Sequence, residues 1–420
     1  MDNLKYSHTI LVNLLIASII PFLIWGPFFP DLIVSISALF FLYYVFKNKN
    51  FYFFNKIPSI IFFLFCIISI ISSLTAKDIF LSFESSFFYF RIGVFSCFIW
   101  YLIDKDKSIL NYFYYSLIIS FSTLVIDGYF QYFFGENILG FKLLSGRVTS
   151  FFEDELILGS YLSRLFPFLF ALFLVKQKQK FEIYFIGLLF ILVDILIYIS
   201  GERSAFFFLN LSTIFIIILI KEHQKFRLIT FIIGIICIIF LSLNSSTLNN
   251  RMFKEPAKNM GLVKSSKEPV IFTSAHDSLI RTAYNMFKDK TLLGHGPKMF
   301  RVICKDKKYA VGISPCSTHP HNYYLQLLAE TGIIGFLFLF CTLCYVLITA
   351  LRQFKSIIFK QKRPLTDYQV CLLAGILITV WPFAPNGNFF NNWLMLVYSL
   401  PVGFYLQSIY SKKKENTYSK

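Results

Sequence analysis

Apolar stretches alternate with short charged connections along almost the whole chain. Runs such as 57–74, 183–200 and 231–243 are apolar for long enough to be membrane spans, which need about 20 apolar residues. The pattern predicts twelve, near 9–26, 29–46, 57–75, 86–103, 110–134, 156–175, 183–200, 204–220, 226–243, 325–351, 367–384 and 391–410. One hydrophilic stretch, 244–320, interrupts them. The predicted fold is therefore an all-α integral membrane protein with about twelve transmembrane helices and one large, partly helical loop between spans 9 and 10. Its parts are 1–243 (spans 1–9), 244–320 (the loop) and 321–420 (spans 10–12). The first span lacks a small-residue cleavage site and runs into the next, so it is expected to be retained.

Composition supports this class and changes how the charge is read. The chain is 56% hydrophobic, 20% aromatic and 15% charged, with 54 Phe in 420 residues, unlike an ordinary soluble domain. A net charge of +17 raises the question of nucleic acid. With the N-terminus in the cytoplasm, however, the Lys and Arg of the short connections fall on one side. Lys47, Lys49, Lys105, Lys107, Lys176, Lys178, Lys225, Arg227, Lys355, Arg363, Lys412 and Lys414 are among those predicted inside. The short outside loops hold Lys77, Lys142, Arg147 and Arg203. This is the positive-inside bias, which puts both termini inside and argues against nucleic acid.

The long loop is then outside and carries an excess that topology does not explain, since long translocated loops are largely exempt. It holds 13 Lys and Arg against Glu255, Glu268, Asp277, Asp289 and Asp306, and an anion-attracting surface accounts for that excess. Four of the six histidines, His276, His295, His319 and His321, lie in it or at its end. Residues 277–290 have a helical pattern on Leu279, Ala283, Met286 and Phe287, with Ser274 or Asp277 as cap. Arg281 lies off that stripe, free to meet a ligand. Phe300 is expected to pack the following turn against the membrane. Cys304 and Cys316 are the loop's two cysteines, and an oxidising compartment makes a bridge between them plausible. No Cys/His spacing matches a zinc site, and no metal is expected.

Charges within or near the spans need partners or a cavity. Arg91, Asp127, Arg164 and Asp194 are expected to pair mutually, or else to line a polar chamber. Gly201-Glu202-Arg203-Ser204-Ala205 is a tight turn whose arginine sits beside the free N–H groups of a helix start, a good phosphate receptor. The alternative is an arginine snorkelling to the interface. Arg147 is either a third basic group or a loop anchor.

The most informative stretch is His319-Pro320-His321-Asn322-Tyr323-Tyr324, two imidazoles at the mouth of an apolar helix. Imidazole is the side chain best suited to proton transfer near neutral pH. His319 rivals His321 as the base. The proline between them is expected to turn the rings apart. Tyr324 and Leu325 are placed to line an acceptor path. Glu330, half a rotation on, is not a simple orienting partner, and Gly332 and Gly335 suit close helix packing.

His-x-His-Asn-x-x-Leu-x-x-x-x-Glu-x-Gly-x-x-Gly after a large loop resembles the O-antigen ligase family, within a superfamily that includes O-antigen polymerases. The resemblance extends to Arg147 with Leu158-Gly159-Ser160-Tyr161-Leu162, to Arg203 in Gly-Glu-Arg-Ser-Ala, and to Arg281 followed by Leu293-Gly294-His295-Gly296. It covers about 140–340. It implies transfer of a glycan from undecaprenyl pyrophosphate to a hydroxyl of lipid A-core or another glycan. The site would lie at the periplasmic face of a bacterial inner membrane, and no metal or nucleotide cofactor is implied. It assigns the reaction to His321, Arg203 and Arg281, with Arg147, His295, His319, Asn322 and Tyr324 as substrate-binding candidates. The alternatives are a polymerase using the same donor and, in a different class, a transporter. The sequence lacks the two related halves with broken helices that a transporter would show.

Overall fold

The computed structural model describes residues 2–176, 180–262 and 272–411; among the residues used above, Lys178, Glu268, Lys412 and Lys414 lie outside these. The first part of the chain forms α1 (Asp2–Ala17), α2 (Ile19–Trp25), α3 (Phe28–Lys47), α4 (Ile57–Ser73), α5 (Ile79–Phe87), α6 (Phe90–Lys105) and α7 (Ile109–Phe134). After a connection with two isolated β-bridges come α8 (Leu158–Val175), α9 (Lys180–Ile199), α10 (Arg203–Leu219) and α11 (Gln224–Asn244). The long loop holds α12 (Ser246–Asn249), α13 (Glu255–Asn259), α14 (Ser274–Asp289) and α15 (Phe300–Ile303). The chain closes with α16 (Tyr323–Ile358), α17 (Asp367–Thr379) and α18 (Asn392–Tyr410). No strand forms among the described residues.

Seven helices among the described residues are long and apolar enough to cross a membrane: Phe28–Lys47, Ile79–Lys105, Ile109–Phe134, Leu158–Val175, Lys180–Ile199, Gln224–Asn244 and Tyr323–Ile358. Thr9–Trp25, Ile57–Ser73, Arg203–Leu219 and Asp367–Thr379 are apolar but shorter. The expected span at 9–26 is broken near Ser18, and the one at 367–384 is helical for 13 residues only.

α8 is the hub. It is apolar all round and buried over nearly its whole length, as such a helix must be. It packs on α17 and α10, and Gly375 of α17 fits between Pro167 of α8 and Pro401 of α18. α11 and the outer part of α16 lie at the periphery and turn Ile229, Ile236, Phe240, Phe340, Leu347 and Leu351 outward. Contiguous apolar surface of this kind is what a hydrocarbon solvent requires.

Hydrogen bonds between distant segments sort the connections into two ends. At one end Asp104 receives Gln407 and Ser411, Arg363 reaches the Leu219 carbonyl, and Asp367 receives the N–H groups of Lys221 and Glu222. At the other, Ser72 donates to the Leu293 and Glu330 carbonyls, Lys290 to that of Thr75, and Arg147 to that of Ser200.

The intramembrane charges do not pair with one another as expected. Arg91 joins Asp31 at 2.6 Å, and Asp194 joins Arg227 at 3.1 Å. Asp127 receives Asn137, Ser150 and the Ile138 N–H. Each charge found a nearer polar group than the others on the expectation. Arg227, counted above among the inside basic residues, is fully buried and serves helix packing instead.

The loop has its own small core, made by Leu279, Ala283, Met286, Phe300, Ile303, Cys304 and Tyr309 against Ala329 of α16. Phe300 therefore packs beneath α14 and not against the membrane. α14 starts at Ser274, three residues earlier than the pattern suggested, and Thr273 is its N-cap residue. Cys304 and Cys316 form a disulfide across this core. The turn 291–296 lies on the α16 backbone: His295 N–H donates to the Ala329 carbonyl at 2.9 Å, Gly296 N–H to that of Glu330 at 2.8 Å, and Ile333 N–H to that of Thr291 at 2.8 Å. Gly332 makes this possible. Its φ of 65° interrupts α16, and a Cβ there would lie 2.2 Å from the Leu292 carbonyl oxygen. Glu330 accepts from the Phe300 N–H and from Gln326, fixing the same turn.

Candidate active site

Two polar clusters stand at the end of the bundle where the long loop sits. The first surrounds the turn 200–203. Gly201 adopts φ 68°, which carries the chain from α9 into α10. Arg147 Nε donates to the Ser200 carbonyl at 3.0 Å and Arg251 Nε to that of Gly201 at 3.2 Å. Arg203 Nε donates to the Arg251 carbonyl at 2.7 Å and its Nη2 pairs with Glu255 at 2.7 Å. The Glu202 carboxylate turns away and accepts the N–H groups of Gly159 (2.6 Å) and Ser160 (3.0 Å), capping the start of α8. Three guanidiniums thus face two carboxylates, one of them committed to a helix end. Burial and then the Arg251 charge push the Arg147 pKa down, with Arg203 adding to this and Glu202 opposing it. The pocket of charge is short of anions. Arg147, left open by the sequence between basic group and loop anchor, is both. Arg251 was missed because nothing in its local pattern marks it.

The second cluster is imidazole. His319 and His321 have ring centroids 4.1 Å apart, and His276, from the first turn of α14, lies 5.3 Å from His321. The rings were expected to diverge across Pro320. They converge because His321 takes a left-handed φ of 55°, which folds the chain back before Asn322. Asn386 holds this conformation: its N–H donates to the His321 carbonyl at 2.9 Å. Its own carbonyl accepts from His319 Nε2 at 3.3 Å, which fixes that proton on Nε2 and leaves Nδ1 to accept from Thr318 Oγ1 at 2.9 Å. The His321 ring makes no side-chain hydrogen bond among the described residues, and the Asn386 backbone lies within hydrogen-bonding reach of it. Burial, then the neighbouring His276, lowers its pKa to about 4. Burial, then His321, brings His319 to about 3, and burial lowers His276. All three rings are neutral near pH 7.

The other candidates are placed differently. Asn322 caps α16, its side-chain oxygen accepting from the Tyr324 and Leu325 N–H groups while its nitrogen donates to the Pro382 carbonyl at 2.9 Å. Tyr324 is buried and donates to the Val380 carbonyl. Both brace α16 and do not line an open path, because their polar atoms are already engaged. His295 is remote from the imidazole group, with Nε2 3.0 Å from the Met286 carbonyl and its ring against Tyr309. Arg281 stands on α14, exposed, with Asp277 one turn back at 3.7 Å as its ion pair. It joins neither cluster by contact. Among the described residues no group of three or more His, Cys, Asp or Glu side chains is disposed to hold a metal ion.

α8 links the two clusters. Glu202 binds its first turn at Gly159 and Ser160. About 7.5 Å further along the axis, Arg164 donates from Nη2 to Asn386 Oδ1 at 2.9 Å and from Nη1 to the Ile378 carbonyl. The guanidinium lies between the rings of Phe208 and Tyr398, 3.9 and 4.4 Å from their centroids. Asn386, the joint between this buried cation and the imidazoles, escaped the sequence reading. Its signal was the polar run Asn386-Gly387-Asn388 between two apolar stretches.

The family model described as O-antigen ligase matches residues 186–340, from within α9 to within α16. That segment contains the turn 200–203, Arg251, His276, Arg281 and both histidines before α16; Arg147, Arg164 and Asn386 fall outside it. No curated protein matches the chain. Over residues 186–340 this multi-pass membrane protein is thus similar to the O-antigen ligase family, which in broad terms implies a membrane enzyme that transfers glycans.

Proposed function

We propose that the protein transfers a glycan from undecaprenyl pyrophosphate to a hydroxyl of lipid A-core, at the periplasmic face of the inner membrane. In this reading twelve helices span the membrane and both termini are cytoplasmic. The observation that carries it is the buried, neutral His321 ring on the same end of the bundle as a cluster of arginines short of anions. The acceptor hydroxyl attacks the anomeric carbon, and its proton passes to His321. The bond from that carbon to the pyrophosphate oxygen breaks, and the electron pair leaves with the pyrophosphate. Attack from the side opposite the leaving group inverts the centre.

Charge grows on the pyrophosphate as this bond breaks, so guanidiniums placed beforehand favour the transition state over the bound substrate. Arg203, Arg251 and Arg147 suit that role, because forked donors match phosphate oxygens in pairs. Arg281 pairs with Asp277 and is available to the same carrier. His319, engaged on both nitrogens, positions Asn386 and the His321 turn. The step calls on imidazole and guanidinium groups alone, so chelators are expected to leave the rate unchanged.

The test is purified protein in nanodiscs with undecaprenyl-pyrophosphate glycan, with and without lipid A-core. Glycan on lipid A-core supports the ligase reading. Longer carrier-bound chains assign the protein to polymerases, and no transfer under either condition overturns the proposal.

A further inference from the structure

Away from both clusters, the turn between α4 and α5 and the turn after α14 enclose a cavity of about 250 Å3. Lys77, Asp289, Lys290, His295, Asp306 and Tyr309 line it. It is a built site. Lys290 Nζ donates to the Thr75 carbonyl at 3.1 Å, which joins the two turns. Asp289 is fixed by Lys308 Nζ at 2.5 Å and by Tyr309 Oη at 2.7 Å, and His295 forms a buried wall beside the Tyr309 ring. Lys77 has no polar partner among the described residues. Nothing in the proposed transfer step uses these groups.

The lining mixes acceptors (Asp289, Asp306), cationic donors (Lys77, Lys290) and an apolar wall (Tyr309, Ile303), with no net charge beyond these pairs. A pyranose presents that complement: hydroxyls that both donate and accept, around a ring with apolar faces. The volume is below the roughly 300–1,000 Å3 of pockets that enclose drug-sized ligands, and suits one sugar ring. α14 sets the distance. His276 in its first turn touches His321, and Asp289 in its last lines the cavity, 13 residues or about 20 Å away along the axis.

We propose that this cavity is a hexopyranose subsite, which holds a sugar several units away from the one being transferred. It rests on the glycan-transfer reading for its role, but its binding can be read without turnover. Lys77 and Asp306 are exposed and outside the catalytic groups, so the variant Lys77→Ala, Asp306→Asn is expected to fold. Saturation-transfer NMR with glucose, N-acetylglucosamine and glucuronate, on the full chain in nanodiscs, is expected to show at least one binding. The double variant should weaken it tenfold or more, and His321→Ala should bind as the parent does. In the transfer assay the double variant should raise KM for a carrier bearing a long glycan and leave a single-sugar carrier unaffected. No saturation transfer from any of the three sugars, or equal binding by the double variant, overturns the subsite. Loss of transfer with sugar binding intact instead counts against the transfer reading.

Discussion

The turn 200–203 ahead of α10 and the turn 319–322 ahead of α16 share a backbone device and differ in chemistry. Each places a residue with positive φ just before a helix start, Gly201 at 68° and His321 at 55°. At the first, glycine costs nothing in that conformation, and the space its missing side chain leaves is filled by Arg251 and Arg147. At the second, a histidine holds a conformation that costs a non-glycine residue about 1–3 kcal/mol, and Asn386 keeps it there. The first turn collects permanent charge. The second collects rings that burial keeps neutral. Recognition of an anion tolerates fixed cations, whereas taking up a proton needs a group that is empty beforehand, and strain at His321 is consistent with that demand.

The sharpest way to break this contrast is His321→Gly. It removes the imidazole and relaxes the φ at once, so transfer should fall by about 10²- to 10⁴-fold while the thermal midpoint holds or rises. A parallel loss of midpoint and rate would mean that His321 is structural. Gly201→Ala should do the reverse on stability. Its Cβ would lie 2.5 Å from Arg251 Nε, and strain plus displacement should cost about 1–3 kcal/mol, read as a lower midpoint and a higher KM for the carrier. Unchanged values for both would remove the close approach on which the arginine cluster depends.

Smaller effects sharpen it further. Arg203→Lys and Arg251→Lys keep the charge and lose the fork. Each should lower kcat for transfer from the pyrophosphate carrier by about tenfold, near 1.4 kcal/mol, and turnover indifferent to both would count against paired phosphate contacts.

A separate effect is in pH. His319 and His321 titrate at about 3 and about 4 when folded, against 6.5 when unfolded. Between pH 6.5 and 4 the unfolded chain therefore binds more protons than the folded one, and stability falls as the pH is lowered through that window. His276, also lowered, adds to the same slope, and the neighbouring Arg301 charge pushes His319 in the same direction. Midpoints measured from pH 7 to 4.5 should decline, and His321→Gly should flatten the decline. In the parent kcat/KM should keep His321 deprotonated, with an acid limb near pH 4. A limb near 6.5 would show an exposed imidazole.

Much of this was legible in the sequence, for identifiable reasons. Membrane spans announce themselves because the bilayer demands long apolar runs, so 57–75 and 110–134 match α4 and α7 within a residue or two. His321 and Arg203 stood out because polar groups at the mouths of apolar helices are few. What the sequence misplaced were matters of partner and direction. It left Arg227 as a surface charge, although the side chain is buried against Asp194, because a span's end looks the same from either side. It treated Asn322 and Tyr324 as substrate contacts, because a capping amide and a bracing phenol carry the same atoms as ligand-binding ones.

By itself the sequence determined the solvent of each segment, the order of the helices and the kinds of chemistry available, since these follow from local composition and period. Only the tertiary structure decided which groups share a site. Arg251 meets Arg147 across about a hundred residues, and Asn386 clasps a loop 65 positions earlier. Such meetings depend on how buried faces fit together, and a close approach at one glycine or a single left-handed residue sets them, which no local pattern encodes.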